Sequence, residues 1–553
     1  MGIAAPLCLI GALAWPLLLT DATFNEDWLN HLWYMWHQSV AIRDNHSPSL
    51  FLNYSHGVFY PLYAFYGGTI YTLTGVLSLA LGDAPLDAYV LTYVLGFIAA
   101  YAGWYWTARI FGLGRWLAHV PGIIFVTSAS YLTIVYALGD WPEFIAVSVM
   151  PLMIASGLEV IRAKQLRLLP AAALAGSSIV FFGSHLLTVI WGSTILLIVG
   201  LALLACVPEA RDNIGWSNIL RVAGIMIPAL LVSAWFLLPT AAYESKTVIA
   251  QSYPHFRQLL RESTYPVAAR HLFTLSRKQA SGTILTTSLP ILAMVWIFAG
   301  IAISLRARRS GAWMRILLVI CAATALLLIV MTHVGIILAL PRVYSTLQFS
   351  FRLESYVLLG ISGAVLAVLV ANRDGGSESR YWAWALVPIL AIAVIGAVQQ
   401  TGAHPQGRSR SIALSSYLKP IYEQEGLLNY VYDPVRPIST QLPRVTFPPE
   451  SVHNDRASLV VHEAPGQRVD TNIRSRSEFV HISGAEIVGT DEEANDVLEI
   501  TPYAHATSTA VKISVSPADH TAIVAGRLLT GLALAILAVE FLLLATARRR
   551  LAR

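Results

Sequence analysis

Twelve apolar runs divide this chain, at about residues 3–20, 86–108, 117–136, 144–160, 168–183, 186–207, 221–243, 286–304, 316–332, 353–371, 381–399 and 523–546. A helix needs about 20 apolar residues to cross a hydrocarbon layer of roughly 30 Å, so each run can span, the shorter ones with help from flanking residues. The fold class this implies is an all-α polytopic membrane protein. Composition agrees: only 12% of the 553 residues are charged and the mean hydropathy is +0.60, far from a soluble domain. The net charge of +5 comes from arginines beside the apolar runs and not from a basic face. Bilayer orientation explains that distribution better than nucleic acid does, so no nucleic-acid partner is expected. Cys8, Cys206 and Cys321 lie inside apolar stretches, where neither a disulfide framework nor metal-ligand spacing can be read.

The short connections alternate in charge. Segments 109–115, 159–167, 208–221, 305–315, 372–380 and the terminal RRRLAR are basic, whereas 82–85, 137–143 and 184–185 carry no Lys or Arg. Positive loops stay cytoplasmic, so both termini are expected there. The first run lacks a basic n-region and a small-x-small cleavage site, which favours a retained helix over a signal peptide. The stretch VFYPLYAFYGGTIYTLTGVLSLALG (58–82) would push Arg109, Arg115 and the 305–315 cluster outside if it crossed. It is expected to lie at the interface or re-enter, within a first external loop over 21–85. Segments 244–285 and 400–522 are the other large external pieces. In the second, a Pro-rich stretch precedes the alternating runs SLVVHE, EFVHISGAEIVG and TAVKISVS, marking a small β-rich extracytoplasmic domain. The expected organisation is a transmembrane module over 1–399, that domain over 400–522, and a last helix with a basic tail over 523–553.

In the first loop, NEDWLNHLWYMWHQ (25–38) sets Glu26, Asp27 and two histidines among three tryptophans. As a helix over 26–42, Trp28, Leu32, Met35, Trp36 and Val40 form an apolar stripe, and Asp27, His31, Tyr34 and Gln38 stack on another face. Such a helix is expected on the outer membrane surface, stripe down, with Asp27 and His31 able to meet; the plainer reading is a polar face that is merely solvated. Two more connections bring acids to this side: YALGDWPEF carries Asp140 and Glu143, and WFLLPTAAYES ends on Glu244. Ionisable groups at a membrane edge are costly and tend to line sites. The helix dipole alone accounts for Glu143, but poorly for Glu244. Against the orientation bias, the same side carries Arg257, Arg261, Arg270, His271, Arg277, Lys278, Arg342 and Arg352. A bound phosphate is an economical reason, because guanidinium forks match its oxygens; salt bridges to the acids or to lipid headgroups are the alternative.

The order Asp27-x-x-x-His31, YPLYAFYGG (60–68), ALGDWPEFIAVSVMPL (137–152), GSHLLTVIWG (183–192), AWFLLPTAAYES (234–245) and LQFSFRLESYVLLG (347–360) resembles bacterial integral membrane proteins labelled 6-pyruvoyl-tetrahydropterin-synthase-related. Those proteins look like members of the GT-C glycosyltransferase superfamily, and the resemblance runs over about residues 1–400. It implies a GT-C-like fold, a long first external loop holding a catalytic acid, and a sugar donor carried on a polyprenyl phosphate. By position, Asp27 matches the first-loop acid and His31 its histidine. Glu143 matches the second-loop acid, Ser184 and His185 the Ser-His pair, Glu244 the acid after the Leu-Pro helix end, and Arg352 the arginine of the Gln-Phe-x-x-Arg motif. The sequence departs from the pattern before Gly139, where Ala137-Leu138 replace the usual arginine, and at Pro142.

The residue types suggest the chemistry. A carboxylate within reach of an acceptor hydroxyl can take its proton as the new bond forms, and Asp27 is the expected base, with His31 and Glu143 beside it. Glu26, Asp140, His185, Glu244, Arg257, Arg261, Arg342 and Arg352 are the expected substrate-binding residues. The departing phosphate needs positive charge, from Arg352, Arg257 or Arg261 or from Mg²⁺ or Mn²⁺ held by Asp27, Glu143 and Glu244. His185 contacts a phosphate or acceptor, or packs against its own helix turn. The expected partners are the bilayer, the lipid-linked donor and a glycan or glycolipid acceptor, with the site on the outer face of a bacterial cytoplasmic membrane. A lipid-linked-sugar flippase and a silent glycan-binding scaffold are the competing functions; a flippase predicts broken helices and polar groups near the bilayer midplane.

Overall fold

The computed structural model describes residues 4–19, 28–51, 63, 66–243, 257–258, 261, 291–306, 311–347, 349–373, 385–402, 444–445, 456–461, 469–474, 480–491, 497–502, 509–515 and 517–551. Its first half runs α1 (Ala4–Leu19), α2 (Trp28–Asn45), α3 (Gly68–Ala80), α4 (Pro85–Ile110), α5 (Val120–Val126), α6 (Ala129–Thr133), α7 (Trp141–Arg162), α8 (Leu168–Phe182), α9 (Leu186–Cys206), α10 (Pro208–Asn213), α11 (Trp216–Leu231) and α12 (Ala234–Tyr243). It continues with α13 (Ile291–Arg306), α14 (Ala312–Thr332), α15 (Val334–Ala339), α16 (Arg342–Ser345), α17 (Glu354–Asn372), α18 (Leu386–Gly402) and, at the C-terminal end, α19 (Pro517–Leu551).

Each apolar run read from the sequence holds helix among its described residues, but the helices are not equal. Among the described residues six are long and apolar enough to cross a membrane on their own, and up to eight if each bent pair is one span. The bent pairs break by 43° after Val126 and by 63° between α11 and α12. α3 has 13 residues, about 20 Å of helix, too short to cross unaided.

Backbones approach closely where side chains are small. α4 packs along α7, and at Gly103 an added Cβ would lie 2.3 Å from the backbone of Pro151 and Leu152. α17 is the most enclosed of the candidate spans and packs on α14, α13 and α5. One end of this bundle is tied by arginines. Arg162, from the last turn of α7, donates to the Ile110 carbonyl at 3.1 Å and sits 5.5 Å over the Phe111 ring, while Arg373 donates to the Phe111 carbonyl at 3.1 Å. Both guanidinium groups thus meet carbonyls left open at the C-terminus of α4, where the helix dipole is negative.

The expected surface helix is an interior one. Over α2, His31, Leu32, Trp33, Tyr34, Met35, His37, Gln38 and Val40 are all at most 3% exposed, and Trp36 of the supposed lipid-facing stripe is the more accessible residue. The polar face is buried because its groups find protein partners in place of water. Gln38 donates to the Ser49 carbonyl at 2.5 Å and accepts from the Ser49 N–H at 3.0 Å, and His37 Nδ1 lies 2.9 Å from the Tyr63 hydroxyl, which itself donates to the Tyr34 carbonyl. Trp28 and Trp33 are packing residues, not lipid anchors: Trp28 meets Tyr89 edge-on at 5.1 Å, a contact type that contributes about 1 kcal/mol beyond area burial.

The segment with alternating runs holds strands β1 (Arg444–Val445), β2 (Arg456–Val461), β3 (Val469–Arg474), β4 (Val480–Ser483), β5 (Ala485–Asp491), β6 (Val497–Pro502) and β7 (Thr509–Val515). They form one sheet in the order β1-β3-β6-β5 and another in the order β2-β7-β4. All pairs are antiparallel except β1 with β3, and the chain changes sheet at Gly484, whose φ of 84° suits a residue without a side chain.

Candidate functional site

At the end of α7 opposite Arg162, the chain leaves a π-helical turn (Ile134–Leu138), passes Gly139 in the left-handed region (φ 67°), and enters the helix with Asp140 as its N-cap. The Asp140 carboxylate accepts from the Glu143 N–H at 3.2 Å, an ordinary capping bond. Pro142 occupies the first turn of the helix, where its missing N–H costs nothing, so the proline leaves the acid-bearing turn intact. Gly139 also lets the first loop approach: a Cβ there would lie 2.9 Å from the Trp28 backbone nitrogen. The start of α2 is therefore seated against the Asp140 turn.

Arg352 reaches the same place from a 3-10 turn (Ser350–Leu353) that feeds α17. Its Nη2 lies 3.1 Å from Asp140 Oδ2 and its Nε 3.4 Å from Glu143 Oε2, so one guanidinium bridges both carboxylates. The side chains of Arg352, Asp140 and Glu143 are 14%, 7% and 3% exposed, which makes this a buried triad and not a rim pair. Phe349, 5.8 Å from the guanidinium, covers the arginine. One arginine thus serves two acids in a site water barely reaches.

Two histidines flank the triad. His31 pairs through Nδ1 with the Tyr71 hydroxyl at 2.6 Å, and the Tyr71 ring packs on Trp141 at 5.1 Å, one residue from Asp140. His185 precedes α9, with Nδ1 2.8 Å from Thr188 Oγ1; the Thr188 carbonyl is in turn held by the Tyr356 hydroxyl of α17 at 2.9 Å. This settles His185 into its own helix turn while leaving it near Asp140. Burial opposes ionisation of Asp140, yet the charges of His185, Arg352 and His31 and the Glu143 N–H outweigh it and hold the carboxyl down to about 2. Burial also holds His185 down to about 4. Near neutral pH that imidazole is thus uncharged and lends its charge to Asp140 only in acid, which leaves Arg352 as the standing cation beside Asp140.

The α8–α9 turn carrying His185 is fixed by a tight backbone crossing. The Gly183 carbonyl accepts from the Ile70 N–H at 3.0 Å, and a Cβ on Gly67 (φ 72°) would sit 1.4 Å from the Ser184 carbonyl oxygen. Only glycine fits there. The Gly-Gly of YPLYAFYGG and the Gly-Ser-His of GSHLL are thus one joint.

Of the residues singled out in the sequence, the described structure brings together Asp140, Glu143, His31, His185 and Arg352. Arg257, Arg261 and Arg342 are exposed and stand outside the buried triad. Glu26, Asp27 and Glu244, and with them the Asp27–His31 contact and two of the three expected metal ligands, lie outside the described residues, as do Arg270, His271, Arg277 and Lys278. Among the described residues there is no group of three or more His, Cys, Asp or Glu side chains placed to hold a metal ion. Glu354, two residues beyond Arg352 and outside the set singled out in the sequence, is 5% exposed with Oε1 lacking a hydrogen-bond partner. Its only sequence signal was an acid at the head of an apolar run.

Comparison with known proteins gives partial likenesses. A family model described as negative regulator of sigma F matches residues 302–420, well under half of the chain. No curated protein matches the sequence. Among solved structures, the chain is similar to the crystal structure of the Archaeoglobus fulgidus oligosaccharyltransferase in the apo form, with TM-score 0.42, 11% identity, and coverage of 80% of this chain and 62% of that one. It is also similar to the cryo-EM structure of the arabinofuranosyltransferase AftD from Mycobacteria, with TM-score 0.44, 12% identity, and coverage of 91% of this chain and 40% of that one. The chain thus spans less than two thirds of either structure's length, and likeness at these scores assigns neither family nor activity.

Proposed function

We propose that this chain is a membrane glycosyltransferase that moves a sugar from a polyprenyl-phosphate donor to an envelope glycan or glycolipid acceptor at the outer face of a bacterial cytoplasmic membrane. The observation that carries the reading is the convergence of Asp140, Glu143 and Arg352 in one buried triad at the helix ends remote from the arginine-tied end, with His31 and His185 beside it. The order of motifs that resembles GT-C proteins supports it. In the reaction, the acceptor oxygen bonds to the anomeric carbon as the bond from that carbon to the phosphate oxygen breaks. The electron pair leaves with the phosphate, and the acceptor proton passes to the base.

Asp27 is the proposed base; its chain neighbour Trp28 packs on Gly139, next to Asp140. Arg352 supplies positive charge toward the departing phosphate and keeps the two carboxylates apart from open repulsion. A divalent cation held by Asp27, Glu143 and Glu244 is the alternative source of that charge. Glu143 fits such a role in chemistry, because Oε2 is a buried carboxylate oxygen with no hydrogen bond, although Arg352 competes for it. When bound, the cation would neutralise phosphate charge.

The flippase reading has one observation in its favour, the two bent helix pairs. Against it, the described charged cluster sits at helix ends and not midway along the spans.

The test is sugar transfer by the purified protein from synthetic polyprenyl-phosphate sugars, in lipid nanodiscs, with and without a chelator. Asp27→Asn should lower turnover by about 10²- to 10⁴-fold while donor binding persists. Arg352→Lys should lower it at least tenfold, since an ammonium cannot reproduce the two-point contact. Wild-type protein that binds the donor without transfer and, reconstituted in sealed vesicles, exchanges it across the bilayer would instead establish the flippase.

A further inference from the structure

The break between α11 and α12 has a specific filler. In an unbroken helix the Trp235 N–H would donate to the Leu231 carbonyl. Here it donates to Thr530 Oγ1 of α19 at 3.0 Å, and that hydroxyl faces the Leu231 and Val232 carbonyls at 3.3 and 3.1 Å. One hydroxyl from the C-terminal helix is therefore inserted into the missing backbone bond, a recognised origin of sharp kinks. The approach is shaped for it: one turn earlier, a Cβ on Gly526 would lie 2.5 Å from the Ala234 carbonyl oxygen. Inside a membrane the freed N–H and carbonyl groups have no water to turn to, so the hydroxyl is what makes the bend tolerable.

The bend points a side chain at the site's support. Trp235 Nε1 donates to Thr69 Oγ1 at 3.1 Å, and Thr69 Oγ1 lies 3.1 Å from Ser233 Oγ, inside the break. A Cβ on Gly68 would meet the Trp235 ring at 2.7 Å. Thr69 lies in the first turn of α3, whose Ile70 N–H holds the Gly183 carbonyl, two residues before His185. A continuous run of contacts thus links Thr530 to Trp235, Thr69, Gly183 and the turn that carries His185.

We infer that Thr530 is a positioning residue: the C-terminal helix, through its inserted hydroxyl, sets the angle of α12 and by way of Trp235 fixes the α3 joint that places His185. The effect on catalysis rests on the transferase reading, whereas the effect on the joint does not.

Hydrogen exchange on the full-length protein in nanodiscs tests the joint. Thr530→Val keeps the shape and removes the hydroxyl, and roughly tenfold faster exchange is expected at 230–237 and at 66–72, with no change at 158–166. Thr530→Ser should restore the wild-type pattern. Trp235→Phe should speed exchange at 66–72 alone. Unchanged exchange at 230–237 in Thr530→Val overturns the inference, and so does a change confined to 230–237, which reduces Thr530 to a local cap. If Thr530→Val loosens the whole chain, Trp235→Phe decides: the inference stands if 66–72 loosens and falls if it does not. In the transfer assay Thr530→Val should lower kcat about tenfold with KM for the donor little changed, and Thr530→Ser should recover it. Absence of transfer in wild type would defeat the transferase reading and leave the exchange result to stand by itself.

Discussion

His185 and His37 are buried as neutral imidazoles, the first held down to about 4 and the second to about 3 by loss of solvent. Their unfolded counterparts titrate near 6.5, so between that value and the folded pKa the unfolded chain binds more protons and stability falls with falling pH. The stabilisation is fully present above about pH 6.5 and is lost toward pH 4, at about 3 kcal/mol for His185. Asp140, depressed to about 2, acts in the same direction lower down, between about 3.8 and 2. The thermal unfolding midpoint of the wild type relative to His185→Asn should therefore fall as the pH drops from 7 to 4.5; a difference that does not change with pH would contradict the neutral buried state of His185. Residue chemistry of this kind was half legible in the sequence. The acids and histidines stood out against an apolar background. Burial and the pairing of Arg352 with both Asp140 and Glu143 did not, because 212 residues separate Arg352 from Asp140 and no local spacing encodes such a contact. Glu354 shows the converse, a buried acid that the sequence disguises as a helix start.

The helices themselves were readable from hydropathy, since length and apolarity decide them. What hydropathy cannot tell is which face of a polar helix meets water: α2 has the same pattern whether its histidines are solvated or matched to tyrosines, and the matching comes from Tyr63 and Tyr71, outside the helix. The bends were likewise hidden, because α11 and α12 form one apolar run and the group that fills their break comes from α19. Elements joined this closely make sharp predictions at glycine. Gly67→Ala must place a methyl group 1.4 Å from the Ser184 carbonyl oxygen and hold a side chain at φ 72°. The left-handed backbone alone costs about 1–2 kcal/mol, and the clash cannot be relieved by rotating a side chain. Gly67→Ala should therefore lower the unfolding midpoint and speed exchange at 183–188, while Gly200→Ala, which meets nothing within 4 Å, should do neither. Equal behaviour of the two variants would mean that the α3 joint is looser than its geometry implies.

At the scale of the whole molecule, the side of the membrane on which the triad opens decides which donor can reach it. α7 carries Asp140 and Glu143 at one end and Arg162 at the other, separated by 22 residues or about 33 Å of helix, close to a bilayer's thickness. Arg162 and Arg373 together close the end of α4, and Lys164 and Arg167 follow in the next connection, so the basic end is built as a unit. If positive loops face the cytoplasm, the triad opens outside, where a lipid-linked donor and an envelope acceptor can meet. Counting the 58–82 stretch as a span would reverse the order; α3, with 13 residues, favours the shorter count. Impermeant maleimide labelling decides the matter in a variant whose three cysteines are replaced by serine. A cysteine at the exposed Leu81 should react in intact spheroplasts, and one at the exposed Lys164 only after permeabilisation. The reverse pattern would put Asp140 and Arg352 in the cytosol, where nucleotide-activated sugars become the natural donors and the polyprenyl-phosphate reading fails. Reaction of both positions from one side would mean an even number of crossings between them; if α4 and α7 both span, the bent 117–136 pair then re-enters and Asp140 lies on the side opposite Leu81.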